Sequence, residues 1–170
     1  MRHHLDPGRS ELEIHASSSV HPIDTAASVT GWIDVDVDGD GRPAPGESVS
    51  GEVELDLRGM RSGNPLIDRE AERRLHVRRH PTVTGRLLSL RAGDRDGELA
   101  GTGELDFHGV TRAVEGTLRI TPGAADELTL SGSVELDVTD FDVQPPSLLL
   151  VKVHPDIRVE LRAVAVPADD

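Results

Sequence analysis

Asp36, Asp38 and Asp40, followed by Gly41 and Glu47, reproduce the pattern D-x-[DN]-x-[DN]-G-x5-E without a mismatch. Carboxylates at alternate positions supply hard oxygen ligands for calcium, and the sixth-position glycine permits the sharp turn. An EF-hand also needs a helix on each side of its loop. Here "GWIDVDV" before it and "SVSGEVELDL" after it alternate as strands do, and the eighth position, ordinarily an aliphatic residue, is Pro43. Asp, Gly and Pro equally build hairpin tips. The stretch therefore reads as a solvated turn, with a weak calcium site outside the EF-hand fold as the alternative.

Eight histidines invite a metal hypothesis. His3 and His4 read as ordinary residues of a frayed N-terminus. His15, His21, His76, His80, His108 and His154 are scattered, and only His76 and His80 have helical spacing, across a predicted helix end where a cation suits the dipole. A histidine-based centre would need at least three of these six to converge. No serine elbow G-x-S-x-G occurs, and Ser17–Ser19 read as surface. The many carboxylates alternate outward on strands, as a solvated face requires. No catalytic residue, metal site or cofactor is expected, and the protein is read as a non-enzyme.

The elements that must position any site follow from period-two alternation. "EVELDL" sets Val53, Leu55 and Leu57 against Glu52, Glu54 and Asp56; "SVELDV" sets Val134, Leu136 and Val138 against Glu135 and Asp137. "GELDF", "AVEGTLRI" and "DIRVELRAVAV" behave alike, and turn signals such as "GDRDG", "TPGAADE" and "QPP" separate them. Half-buried antiparallel strands give this pattern, and their number indicates a sandwich or barrel. One segment departs from it. From Leu66 to Leu75 the chain has good helix formers, with Asn64 as N-cap, Pro65 in the first turn, and an apolar stripe of Leu66, Ile67, Ala71 and Leu75. Ser62–Pro81 also carries five arginines, Arg69, Arg73, Arg74, Arg78 and Arg79, against Asp68, Glu70 and Glu72. That basic island either supports the fold or addresses an anionic ligand group.

Composition narrows the function classes. The 170 residues suit a single domain spanning 1–170. A formal charge of −13, with Lys152 the only lysine, argues against general nucleic-acid binding. The absence of cysteine removes disulfides and thiolate sites. "MRHHLDPGRSELEI" has no apolar leader core and no run reaches transmembrane length, so a cytoplasmic protein without stable membrane insertion is expected. With two Phe, one Trp and no Tyr, the core must be aliphatic, and small side chains leave more room than usual inside a barrel.

The segment "GELDFHGVTRAVEGTLRI" resembles the hallmark G-x-L-T-x-x-G-V-T-x-x-V of the YceI-like family, which Gly109, Val110, Thr111 and Val114 match directly. Other pieces follow in family order: "LDPGRSELEIHASSSVHPI", then Gly31-Trp32-Ile33, "RRHPTVTG", "VTDFDV" and "VKVHPDIRVELRAVA". The resemblance spans roughly Leu5 to Val166; it departs from the family in lacking the usual Phe-Phe after the helix, where Leu75 stands. It implies an all-β fold, a single antiparallel lipocalin-like barrel of about eight strands with one short helix around residues 65–76. It further implies a carrier that holds a long apolar ligand, such as a polyisoprenoid or isoprenoid quinone, inside the barrel. On that reading the interior contacts are Val53, Leu55, Leu57, Leu105, Phe107, Leu118, Val134, Leu136 and Val138, and Arg73, Arg74 and Arg78 meet the head group. The partner is then an apolar small molecule, with a homodimer allowed. The competing reading is an interaction or structural module whose barrel is filled by its own side chains.

Overall fold

Eight antiparallel strands close into a barrel in this computed structural model, which describes residues 1–44, 48–148 and 150–169. In chain order the strands are β1 (Arg2–Leu5), β2 (Glu11–Ser18), β3 (Ile23–Asp34), β4 (Ser50–Asp56), β5 (Thr82–Ala92), β6 (Leu99–Phe107), β7 (Val110–Pro122), β8 (Leu128–Asp137), β9 (Ser147–Leu148) and β10 (Val151–Pro167), with one helix, α1 (Pro65–Arg74), between β4 and β5. The staves run β2 to β8 in sequence order, and β10 closes the ring by pairing with β8 on one edge and β2 on the other. The β8–β10 ladder extends from Asp137↔Asp156 to Leu128↔Ala165. Each stave is paired on both edges, which is how a barrel avoids the exposed ladder of a flat sheet. Of the two architectures that the alternating pattern allowed, sandwich or barrel, the barrel is found, with the eight strands and one short helix that the resemblance implied.

One end of the barrel is packed shut. Leu5, Ile33, Val35, Ile120, Leu128 and Ala165 are all buried there. The first residues help to close it, against the expectation of a frayed tail. β1 pairs with β3 through His3↔Ile33 and with β10 through His3↔Pro167, and the His3 ring is buried with its nitrogens beside the carbonyl oxygens of Met1 and Asp126. The correction has a simple cause: His3 and Leu5 alternate inward with His4 outward, and paired backbone on both sides outweighs the polarity of a histidine.

The opposite end carries α1, the β6–β7 hairpin and a 3-10 turn at Val138–Phe141. α1 begins as its sequence requires: the Asn64 side chain accepts hydrogen bonds from the backbone N–H groups of Leu66 and Ile67, and proline fills the first turn. Of the expected apolar stripe, Ile67 is buried against Ile23 and Val153, Ala71 and Leu75 are half-buried, and Leu66 faces out. The hairpin is a two-residue turn in which His108 (φ 55°) and Gly109 (φ 75°) both take left-handed backbone, the geometry that matches strand twist. Thr111, just after it, donates its hydroxyl to Asp106, which also accepts from Arg86 at 2.7 Å. Among the described residues no helix is long and apolar enough to cross a membrane.

Replacing the N-cap tests how firmly α1 is built. Asn64→Ala is expected to lower the free energy of unfolding by about 1 kcal/mol, read from the urea midpoint at unchanged slope.

Candidate functional site: the barrel cavity

In the described part of the calcium-like stretch, Asp36, Asp38 and Asp40 each have a partner within the chain. Asp38 accepts the backbone N–H of Asp40 and of Arg42, each at 2.9 Å, and those bonds, Arg42's first, hold its carboxyl below the ordinary range. Asp36 takes the N-terminal amine at 2.8 Å, and Asp40 takes Arg42 at 3.0 Å. Gly41 (φ 78°) is required, because a Cβ there would lie 1.8 Å from the Ile120 carbonyl oxygen. Pro45 and Glu47 lie outside the described residues.

The larger feature is inside the barrel. Between the packed end and α1 lies a cavity of about 400 Å³ with an almost wholly apolar lining. The alternating residues singled out in the sequence all reach it: Val53 and Leu55 on β4 with Leu57 beyond its end, Leu105 and Phe107 on β6, Leu118 on β7, and Val134 and Leu136 on β8 with Val138 beyond its end. Leu55, Leu57, Phe107 and Val138 are buried in the wall. Val53, Leu105, Leu118, Val134 and Leu136 keep partial exposure although they point inward, because their free surface faces the cavity.

What keeps an eight-stranded bore open is a feature sequence reasoning overlooked. Gly85, Gly101, Gly116 and Gly132 stand on β5 to β8 in phase with the inward leucines and valines and line the cavity without a side chain. A Cβ on Gly101 would sit 3.4 Å from Leu90 and 3.5 Å from Leu87, ordinary contact distances, so the glycine leaves space that a side chain would occupy. Gly116, Gly132 and Gly103 serve the close approach of neighbouring strands: a Cβ would lie 2.6 Å from the Ser133 carbonyl oxygen on Gly116 and 2.9 Å from that of Thr117 on Gly132, and Gly103 is the tightest of the three. A Cβ there would come within 2.2 Å of the Arg86 carbonyl oxygen, where β5 and β6 approach closely beside the bulge at Leu87/Ser89. The available signal was glycine at period two, in register with apolar residues.

The lining turns polar where α1 meets it. Asp68, Glu72 and Arg74 contribute from the helix, and Pro145, Pro146 and His154 belong to the lining as well. Of the three arginines expected at a head group, only Arg74 lines the cavity. Its Nε donates to Glu70 at 2.9 Å; exposed Arg73 donates to the same carboxylate at 2.7 Å, and Arg78 is exposed away from the lining. Hydrogen bonds from Arg73 and then Arg74 bring the Glu70 carboxyl down to about 2.

The six histidines beyond His3 and His4 differ in their surroundings. His21 and His154 bond to adjacent groups, Pro22 O and Ser17 Oγ. His15 stands on the outer face of β2, its Nδ1 2.7 Å from Asp24 and its Nε2 3.3 Å from Glu13 and 3.4 Å from Glu160. Asp24 first, with Glu160 behind it, raises the His15 pKa above its ordinary value. His76, His80 and His108 come together beside the mouth end, outside the cavity lining. Burial first, then the proximity of His108, Arg79 and His76, pushes His80 below its ordinary value.

His15 gives a signed prediction. A folded-state pKa above the unfolded value near 6.5 means its carboxylate contacts stabilise fully below about pH 6.5 and are lost as pH rises through the folded pKa. His15→Gln should therefore destabilise at pH 5.5, by under about 1 kcal/mol for so accessible a cluster, and have little effect at pH 8.5. Urea unfolding at the two pH values reads the difference.

Residues 3–165 match the family model of the YceI-like domain. The fold is similar to that of BcnA from Burkholderia cenocepacia, with a TM-score of 0.80 at 15% identity over 95% of this chain and 99% of that one. A polyisoprenoid binding domain from Saccharophagus degradans, implicated in plant cell wall breakdown, aligns with a TM-score of 0.72 at 13% identity over 98% of each chain. The YCEI protein of Campylobacter jejuni aligns with a TM-score of 0.59 at 15% identity over 82% of each. At these identities the likeness is one of fold. No curated protein matches the chain.

Proposed function

The chain belongs to the YceI-like family, and from that premise we propose that it is a non-catalytic binding or carrier protein for a long apolar ligand of the polyisoprenoid or isoprenoid-quinone class, held in the barrel cavity. The observation that carries this reading is the cavity itself: about 400 Å³ of apolar-lined space where leucine and valine side chains stop short of filling the bore. That volume falls within the range of small-molecule pockets. An isoprenoid tail entering it leaves water with a gain of about 25 cal/mol for each Å² of apolar surface buried.

Arg74 is the proposed head-group contact, in preference to Arg73 and Arg78, since it alone of the three reaches the lining. Its charge is already matched by Glu70, and Asp68 and Glu72 stand beside it. A guanidinium in that setting still donates N–H groups but presents little net positive field. It suits a carbonyl or hydroxyl head group better than a phosphate. An interior closed by its own side chains, the competing reading, leaves the cavity without an explanation.

Native mass spectrometry of the purified protein, followed by organic extraction, tests the proposal. The expected result is a discrete added mass that resolves to an isoprenoid, or its appearance on incubation with a quinone. A mass that stays apo after incubation with quinones and polyprenyl phosphates would overturn it. Val134→Phe together with Leu136→Phe should fill the cavity and abolish uptake, at a stability cost of no more than about 3 kcal/mol. Arg74→Gln should weaken quinone binding severalfold, whereas Arg78→Gln should leave it unchanged.

A further inference from the structure

Three imidazoles from two separated parts of the chain meet beside the mouth of the barrel. His76 and His80 lie in the tight turn that follows α1, where the His76 carbonyl oxygen accepts the backbone N–H of Arg79 at 2.8 Å and of His80 at 2.9 Å. His108 stands at the tip of the β6–β7 hairpin. Its ring centre is 5.3 Å from that of His76 and 5.2 Å from that of His80, both edge to face. Imidazoles bound to one tetrahedral zinc, with metal–nitrogen distances near 2.0–2.1 Å, sit about 5 Å apart between ring centres, the spacing of the two pairs that His108 makes.

Packing alone leaves one atom unexplained. His108 Nδ1 is 3.0 Å from the Phe141 carbonyl oxygen, so that nitrogen carries the proton and donates. Nε2 is then left with its lone pair, and it is the one buried side-chain polar atom among the described residues without a partner. A histidine fixed through Nδ1–H by a backbone carbonyl, with a bare Nε2 and two further imidazole rings packed against it, has the outer partner that metal-ligating histidines have. An unsatisfied buried acceptor is costly, and a ligand would relieve that cost.

The backbone is bent to produce this arrangement. His76 (φ 50°) and His108 (φ 55°) are two of only five non-glycine residues with left-handed backbone among those described. Gly109 (φ 75°) completes the turn without a side chain, and a Cβ there would come within 3.0 Å of the His80 ring. The hairpin tip therefore both aims His108 and admits His80. As the rings stand, their nitrogens do not gather within one coordination sphere, so capture requires the rings of His76 and His80 to turn toward His108 Nε2.

We propose that His76, His80 and His108 form a binding site for a divalent transition metal, zinc by ligand type, that clips the turn after α1 to the β6–β7 hairpin. Three neutral imidazoles leave a fourth position for water, and they suit a borderline cation rather than calcium or magnesium. The Phe141 carbonyl serves as the outer partner and extends the clip to the Val138–Phe141 turn. The clip joins segments that border the cavity without occupying it, so the proposal is independent of what the barrel carries.

The test uses untagged, metal-free protein titrated with ZnCl2 at pH 7.5 by calorimetry and with CoCl2 by visible absorption. The expected result is one zinc per chain, a tetrahedral Co(II) spectrum, and a zinc-dependent rise in the melting temperature. His80→Ala and His76→Phe should each weaken zinc binding by at least about 100-fold, since losing even an outer-shell partner costs 10–100-fold. His108→Gln should do the same, and if that variant fails to fold the other two carry the test. His15→Gln, which alters the Glu13–His15–Glu160 group on the outer face, should leave binding intact. No zinc binding, or binding that survives His80→Ala and His76→Phe but not His15→Gln, would overturn the proposal and leave the three rings as packing.

Discussion

The pairing of β10 with β8 is the constraint on which the rest of the molecule depends. Ten successive residue pairs join the two strands, while the other edge of β10 holds β2. Once the ring is shut, period-two alternation acquires a three-dimensional meaning: one parity faces water and the other an enclosed bore. Everything assigned to the interior, from Val53 on β4 to Val134 on β8, inherits its orientation from that closure. An open sheet of the same sequence would expose the same residues and the edges of its terminal strands.

Closure fixes the circumference, and side-chain volume then decides whether the bore is full. Eight strands make a bore that ordinary side chains can fill. At the packed end they do, through Leu5, Ile33, Ile120, Leu128 and neighbours. Toward α1 the inward positions alternate valine and leucine with glycine, and the filling stops. The cavity is thus a deficit of volume written into the strands. α1 completes it by laying Ile67, Ala71 and Leu75 over the end and bringing the charged groups of the mouth.

Most of the fold was legible because strand alternation, turn chemistry and helix capping are local signals. The N-cap at Asn64 and the inward parity of β4, β6, β7 and β8 needed no knowledge of distant residues. What escaped reading depended on distant partners. His3 looks like a tail residue until β3 and β10 are placed on either side of it. The glycines look like strand breakers until their neighbours across the ladder are known. Nothing in the spacing of His76, His80 and His108 announces that they meet, because the turn after α1 and the β6–β7 hairpin become neighbours only when the barrel closes.

The same dependence governs the electrostatics. In the sequence, the basic island from Ser62 to Pro81 looks like an address for an anion. In the fold, Arg73 and Arg74 share the single carboxylate of Glu70. Elsewhere the pattern repeats: Arg9 binds Asp6 and Glu127, and Arg86 binds Asp106 with Glu52 nearby. These arginines hold the chain's own carboxylates, and Arg74, the one of the three expected head-group arginines that lines the cavity, is among them. On the proposed carrier reading, selection of a ligand falls to apolar length and to hydrogen-bond donors, two properties that change little with salt.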